Sequence, residues 1–146
     1  MACIIVIDDD ETVRYSLRAV LEDAGHTVLE AENGQQAMDV LAGGDVDVAV
    51  VDIIMPIQEG VETTIQIGRW FPDVKTIAMS GGGRSRNLDF LQVARNFGAC
   101  DALEKPFSGE TLLASVEAGL GRGLSRPALW AGASLRVYAG FLCSLR

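Results

Sequence analysis

The chain is poor in cysteine, in basic residues and in long apolar runs, and each shortage excludes a class of protein. Its 146 residues include only Cys3, Cys100 and Cys143, whose odd number and wide spacing indicate neither a disulfide framework nor a zinc site. The chain has 12 basic and 20 acidic residues, and the resulting net charge of −8 makes direct binding of nucleic acid unexpected.

No apolar run approaches the roughly 20 residues of a membrane-spanning helix, and no basic segment precedes the first apolar run. We therefore expect a cytoplasmic protein with reduced thiols, no membrane span and no signal peptide. The charge is uneven, because residues 122–146 contain four arginines and no acidic residue. All of the acidic side chains thus belong to residues 1–121.

The chain does contain short apolar runs that lead into polar residues. Continuous runs of this kind are typical of strands buried on both faces of a parallel sheet. In such sheets, sites form outside the carboxyl ends of the strands, so the polar residues are expected to converge in one crevice. Residues 3–7 lead to Asp8 and Asp9, residues 48–51 to Asp52, residues 77–79 to Ser80, and residues 102–103 through Glu104 to Lys105.

Helical periods separate the apolar runs and predict a regular alternation of elements. Strands are predicted at residues 3–7, 27–30, 46–51, 74–79 and 101–104, and helices at residues 11–24, 33–41, 61–71, 88–98 and 108–120. This alternation predicts an α/β, flavodoxin-like, doubly wound (βα)5 fold, with a parallel five-stranded sheet and helices on both faces. The predicted domain spans residues 1–121.

Residues 122–146 are predicted to form a short C-terminal extension. The segment at residues 121–127 has the composition of a linker, and the residues beyond it mix apolar and small side chains. The apolar residues favour an appended helix that covers an apolar surface on its own domain, on a second copy or on a partner.

The three carboxylates are typical of a magnesium site. Asp8, Asp9 and Asp52 would repel one another in one crevice, and Mg²⁺, which prefers carboxylate and carbonyl oxygens, removes this conflict. A carboxylate can also attack phosphorus, and Asp52 is the predicted nucleophile. Ser80 and Lys105 are suited to contact phosphoryl oxygens.

Four motifs in this order resemble the receiver domain of two-component response regulators. They are residues 6–10 (Val-Ile-Asp-Asp-Asp), residues 52–56 (Asp-Ile-Ile-Met-Pro) with the Gly60 that follows, residues 79–81 (Met-Ser-Gly) and residues 105–107 (Lys-Pro-Phe). The resemblance covers about residues 3–120, and the four motifs together are far more specific than any one of them.

This resemblance implies an activity and a site. Asp52 would accept a phosphoryl group from a sensor histidine kinase or a phosphotransfer protein, in contact with Ser80 and Lys105. Such a protein is a phosphoacceptor that helps to catalyse its own phosphorylation and dephosphorylation, and is not an enzyme in the ordinary sense. The implied Mg²⁺ ligands are Asp9, Asp52 and the Ile54 backbone carbonyl, with Asp8 acting through a metal-bound water.

The resemblance also implies how the signal leaves the domain. Phosphorylation would shift the loop after Ser80 and the face formed by the fourth predicted helix, the fifth strand and the fifth predicted helix. A downstream protein, or a second copy of the chain, would bind this face; the extension is a second candidate for pairing. Ala102 stands where the family usually has an aromatic residue, so we expect the loop itself, with glycines at residues 81–83, to carry the change. The Lys105–Pro106 bond is expected to be cis.

Two other functions remain open at this point. Asp8 and Asp10 match the nucleophile and general acid of haloacid-dehalogenase-like phosphatases, but no later acidic pair follows Lys105. We interpret Asp10 instead as the N-cap of the first helix. A receiver-fold module that binds partners without phosphate is the second alternative, and the complete acidic set counts against it.

Overall fold

Five strands alternate with helices in the computed structural model, which describes residues 1–55, 59–81, 92, 95, 96 and 98–121. The strands pair in parallel in the order β2-β1-β3-β4-β5, which confirms the doubly wound, flavodoxin-like fold. In chain order, the elements of the described ranges are β1 (Cys3–Ile7), α1 (Glu11–Asp23), β2 (Thr27–Ala31), α2 (Gly34–Gly43), β3 (Val48–Asp52), α3 (Glu59–Trp70), β4 (Lys75–Gly81), β5 (Asp101–Lys105) and α4 (Gly109–Gly119).

The alternation of side chains along the strands divides the core into two layers. In β1, Ile4 and Val6 pack towards α1 and α4, whereas Ile5 and Ile7 pack towards α2 and α3, and all four side chains are fully buried. Because helices cover both faces of the sheet, a central strand needs an unbroken apolar sequence, and this requirement explains the short apolar runs.

The helix starts follow local capping rules. Asp10 accepts a hydrogen bond from the Thr12 amide at 2.8 Å, which confirms Asp10 as the N-cap of α1. Asn33 caps α2 in the same way through the Gln36 amide, also at 2.8 Å. Gly25, with φ of 93°, ends the first helical segment in the left-handed region. The Asp10 cap begins α1 directly after the Asp8–Asp9 pair.

Four strands end one or two residues later than the sequence predicts, including β2 at Ala31 and β5 at Lys105. β3 ends at Asp52 rather than at residue 51, and β4 ends at Gly81 rather than at residue 79. Asp52 pairs in register with Met79, and Ser80 with Glu104, so both site residues belong to the ladder. Their side chains therefore project from backbone that neighbouring strands hold in place.

Some predicted features lie outside the described residues. They are Pro56, the glycines at residues 82 and 83, most of the helix predicted at residues 88–98, and the extension at residues 122–146. Gln92, Arg95 and Asn96, which the structure does describe, are helical. The Lys105–Pro106 bond is cis, as expected. Within the described ranges, the helices lack the length and apolar character needed to cross a bilayer.

Candidate functional site

The carboxyl ends of two neighbouring strands bring three carboxylates together. Asp8 and Asp9 follow β1, and Asp52 ends β3, which pairs with β1. Each residue offers one oxygen, and these oxygens all lie within 4.8 Å of one another. Asp8 and Asp52 are buried, with 1% and 6% of their surface exposed, whereas Asp9 is exposed. The acidic cluster that the sequence predicts is therefore present.

Backbone amides orient the two buried carboxylates. Oδ1 of Asp8 accepts a hydrogen bond from the Asp10 amide, and Oδ1 of Asp52 accepts one from the Ile54 amide, both at 2.9 Å. These bonds occupy one oxygen of each carboxylate and direct the other, Oδ2, towards Lys105. The Ile54 side chain is 41% exposed beside Asp52.

Lys105, at the end of β5, reaches across β4 to Asp52 and across β4 and β3 to Asp8. Its Nζ lies 2.8 Å from Asp8 Oδ2 and 3.4 Å from Asp52 Oδ2. Burial disfavours the charged ammonium and by itself would lower the pKa of Lys105. Hydrogen bonds to Asp8 and Asp52, and attraction to their charges, outweigh burial, so the pKa of Lys105 is raised. Lys105 is therefore charged at neutral pH and neutralises part of the cluster.

Burial raises the pKa of Asp52. Removal from water is the largest cause and the charge of Asp8 adds to it, whereas the Ile54 amide and Lys105 favour the ionised form. Three carboxylates beside one ammonium leave an excess of two negative charges when all are ionised. The all-oxygen donor set and this charge both suit a divalent cation such as Mg²⁺.

Ser80 carries a fully buried hydroxyl group. Its side chain is fully buried in β4, and its Oγ has no hydrogen-bond partner among the described residues. β4 lies between β3 and β5, which carry Asp52 and Lys105. A buried hydroxyl that lacks a hydrogen bond costs stability unless a ligand satisfies it. Ser80 thus belongs to the strand between those that carry Asp52 and Lys105.

Gly60 allows α3 to begin against the end of β3. A Cβ atom at this position would overlap the Asp52 carbonyl oxygen and the Ile53 Cα. The sequence motif includes Gly60 but gives no reason for it. The structure supplies one, because only glycine lets the helix approach the backbone that carries Asp52.

A family comparison agrees with this geometry. Residues 4–117 match the model of the response regulator receiver domain. The chain belongs to this family. Receiver domains are signalling modules rather than classical enzymes, so the phosphatase interpretation is not supported. The N-cap role of Asp10 also counts against the phosphatase interpretation, because the carboxylate that would be the general acid accepts a hydrogen bond from the Thr12 amide.

Curated relatives include both longer and similar-sized proteins. The chain is 37% identical over 120 residues to the response regulator MprA of Mycolicibacterium vanbaalenii, which covers 82% of this chain but 50% of that protein. It therefore spans about half the length of such relatives. It is also 37% identical over 123 residues to the protein PilH of Pseudomonas aeruginosa, covering 82% of this chain and 98% of that protein.

Solved structures show the same fold. A response regulator receiver domain protein from Clostridium thermocellum superposes with a TM-score of 0.76 at 27% identity, over 84% of this chain and 96% of that one. The response regulator protein TrrA from Thermotoga maritima, solved in complex with Mg²⁺-BeF, has a TM-score of 0.69 at 27% identity, over 82% and 99% of the two chains.

Proposed function

We propose that this receiver domain is a Mg²⁺-dependent phosphoacceptor of a two-component phosphorelay and that Asp52 is the residue phosphorylated. One observation carries the proposal: Asp52 lies at a strand end with its Oδ2 3.4 Å from the Lys105 ammonium and its carboxylate within 4.8 Å of those of Asp8 and Asp9. This arrangement combines a nucleophile with oxygen ligands for a cation and a fixed positive charge.

Asp52 would take its phosphoryl group from a phosphohistidine of a sensor kinase or phosphotransfer protein. A carboxylate oxygen of Asp52 forms a bond to phosphorus while the donor's N–P bond breaks, and the imidazole nitrogen keeps the electron pair. Asp9, Asp52 and the Ile54 carbonyl would hold Mg²⁺, with Asp8 acting through a water, and the ion supplies positive charge against the phosphoryl oxygens. Lys105 offers its ammonium to another of these oxygens.

The proposed output is a change in protein contacts. Ser80 Oγ has no partner among the described residues, so a phosphoryl group on Asp52 would give it a new hydrogen bond and favour one conformation of the backbone beyond it. Ala102 packs beside Ile53 and Ala78, and its methyl side chain offers no ring to respond. We therefore assign the change to the loop after Ser80, and place the downstream partner on the face that contains β5 and α4.

Labelling with a small phosphodonor tests the proposal. Incubated with acetyl phosphate and Mg²⁺, the protein should gain the mass of one phosphoryl group, and a chelator should prevent the gain. The added group should be released by hydroxylamine, which cleaves an acyl phosphate. Absence of labelling in protein that is folded and binds Mg²⁺ would favour the phosphate-independent interaction module.

Replacing Ser80 with alanine should stabilise the unphosphorylated protein and weaken its response to a phosphoryl mimic. Because Ser80 Oγ is buried and has no hydrogen-bond partner in the described part of the chain, we expect Ser80→Ala to raise the free energy of unfolding of the unphosphorylated protein by about 1 kcal/mol. The stabilisation that beryllofluoride and Mg²⁺ give to the unaltered protein should become smaller in this variant. Urea unfolding with and without the mimic measures both effects.

Ser115→Ala is the matched control for that substitution. Ser115 is also buried, but its Oγ donates a hydrogen bond to Asp101 Oδ2 at 2.7 Å. Its loss should lower the free energy of unfolding by about 1–2 kcal/mol and leave the response to beryllofluoride unchanged. Equal destabilisation by the two substitutions would show that Ser80 Oγ does form a hydrogen bond in the folded protein.

A further inference from the structure

Arg14, on α1, binds the backbone that carries two of the clustered aspartates. Its Nη1 donates a hydrogen bond to the Asp8 carbonyl oxygen at 2.7 Å, and its Nε lies 3.3 Å from Glu30 Oε1 in β2. Only 12% of the Arg14 side chain is exposed. Hydrogen bonds from a charged donor are short and strong, and burial protects this one from competition by water.

The carbonyl that Arg14 holds controls the direction of Asp9. The Asp8 carbonyl and the Asp9 amide belong to one planar peptide group, so fixing the oxygen fixes the plane from which Asp9 continues. Backbone amides orient the carboxylates of Asp8 and Asp52, but the exposed Asp9 carboxylate has no hydrogen-bond partner among the described residues. The position of the Asp9 carboxylate therefore depends on its backbone.

The charge of Arg14 is compensated within its own network. Glu30 faces Arg14 through Oε1 and Arg18 through Oε2, the latter at 2.7 Å, and Arg18 also pairs with Glu22 at 2.8 Å. Two arginines thus alternate with two glutamates from α1 to β2. Since this network is neutral overall, Arg14 acts on the aspartates through geometry more than through added positive charge.

We propose that Arg14 is a positioning residue for the Mg²⁺ site, which orients the Asp8–Asp9 peptide so that Asp9 and Asp52 meet the ion together. The inference rests on the proposed function, because it requires that the acidic cluster bind Mg²⁺. The resemblance to receiver domains already places Arg14 at a basic position near the site. The structure adds the contact by which its guanidinium turns back to the preceding strand end.

Calorimetric titration of the Mg²⁺-free protein with MgCl₂ tests this role. Arg14→Met removes both the donor and the charge, and should weaken Mg²⁺ binding by about tenfold, as loss of a group that orients metal ligands does elsewhere. Arg14→Lys keeps the charge but lacks the planar guanidinium, whose separate Nε and Nη1 reach Glu30 and the Asp8 carbonyl in fixed directions, so a smaller weakening is expected. Backbone NMR order parameters of Asp9 without Mg²⁺ should fall in both variants.

Arg18→Met is the matched control, because it removes an arginine from the same network without touching Asp8. The Mg²⁺ affinity of Arg18→Met should stay within twofold of that of the unaltered protein. Its Asp9 order parameter should be unchanged within error. An unchanged affinity in Arg14→Met overturns the inference. A tighter affinity also does so, because it means that Arg14 acts only by charge repulsion of the ion. Failure of the unaltered protein to bind Mg²⁺ would instead overturn the proposed function, and the inference with it.

Discussion

Asp52→Asn is expected to remove all phosphoryl labelling while preserving the fold. Asp52 Oδ1 accepts a hydrogen bond from the Ile54 amide at 2.9 Å. Asparagine retains an Oδ1 acceptor, so this hydrogen bond should be kept. Its amide cannot attack phosphorus to form an acyl phosphate, and it contributes no charge to a metal site. Intact mass measured after incubation with acetyl phosphate and Mg²⁺ should show no added phosphoryl group.

Asp10→Asn is the matched control for the loss of a carboxylate in the same cleft region. Asn is as good an N-cap as Asp, so the variant should keep the bond to the Thr12 amide and label fully. A phosphatase that used Asp8 and Asp10 would give the opposite pattern, with label retained in Asp52→Asn and lost in Asp8→Asn. Labelling of Asp52→Asn to the normal extent would thus contradict the proposed site.

Asp52→Asn should also stabilise the Mg²⁺-free protein at neutral pH. Burial raises the pKa of Asp52 above its ordinary value, so the folded state resists its ionisation. The unaltered protein therefore loses stability as the pH rises from about 3.9, the ordinary pKa of Asp, through the raised pKa, whereas Asp52→Asn has no such loss. Urea unfolding should show equal stabilities at the acid end of this window and a more stable variant above it. Saturating Mg²⁺ should reduce or reverse the difference.

The fold could be predicted because its signals are local. Buried parallel strands require continuous apolar runs, and capping residues such as Asp10 and Asn33 satisfy amides only a few positions away. The order of the motifs along the chain then identified the edge of the sheet where the site residues converge. These inferences require that the end of each strand be predicted to within a residue or two. The sequence predicted the ends of β3 and β4 with that accuracy.

The distances within the site could not be predicted in the same way. Lys105 lies closer to Asp8 than to Asp52, and the Arg14 guanidinium turns back to the Asp8 carbonyl. Both contacts depend on side-chain conformation and on the twist that places β1, β3 and β5 relative to one another, which no run of residues encodes locally. The lack of a partner for Ser80 Oγ within the described ranges is likewise a property of the packed interior.

Gly60→Ala is expected to be among the most destabilising substitutions of a small residue in the domain. The new Cβ would overlap the Asp52 carbonyl oxygen and the Ile53 Cα, and backbone atoms at the end of a central strand cannot move aside without disturbing the sheet. The helix must therefore shift away from β3. We expect the free energy of unfolding to fall by about 3 kcal/mol or more in urea titrations.

Gly43→Ala is the control that isolates this contact from the general effect of glycine in a helix. A Cβ at Gly43 would meet no atom within 4 Å, so this variant should gain about 0.5–1 kcal/mol from the reduced freedom of its unfolded chain. In Gly60→Ala molecules that stay folded, displacement of the backbone at Asp52 should also weaken Mg²⁺ binding, an effect that Gly43→Ala lacks. A loss of less than 1 kcal/mol in Gly60→Ala would show that α3 does not approach β3 this closely. In that case the orientation of Asp52 would depend on the ladder with β4 and on the Ile54 amide alone.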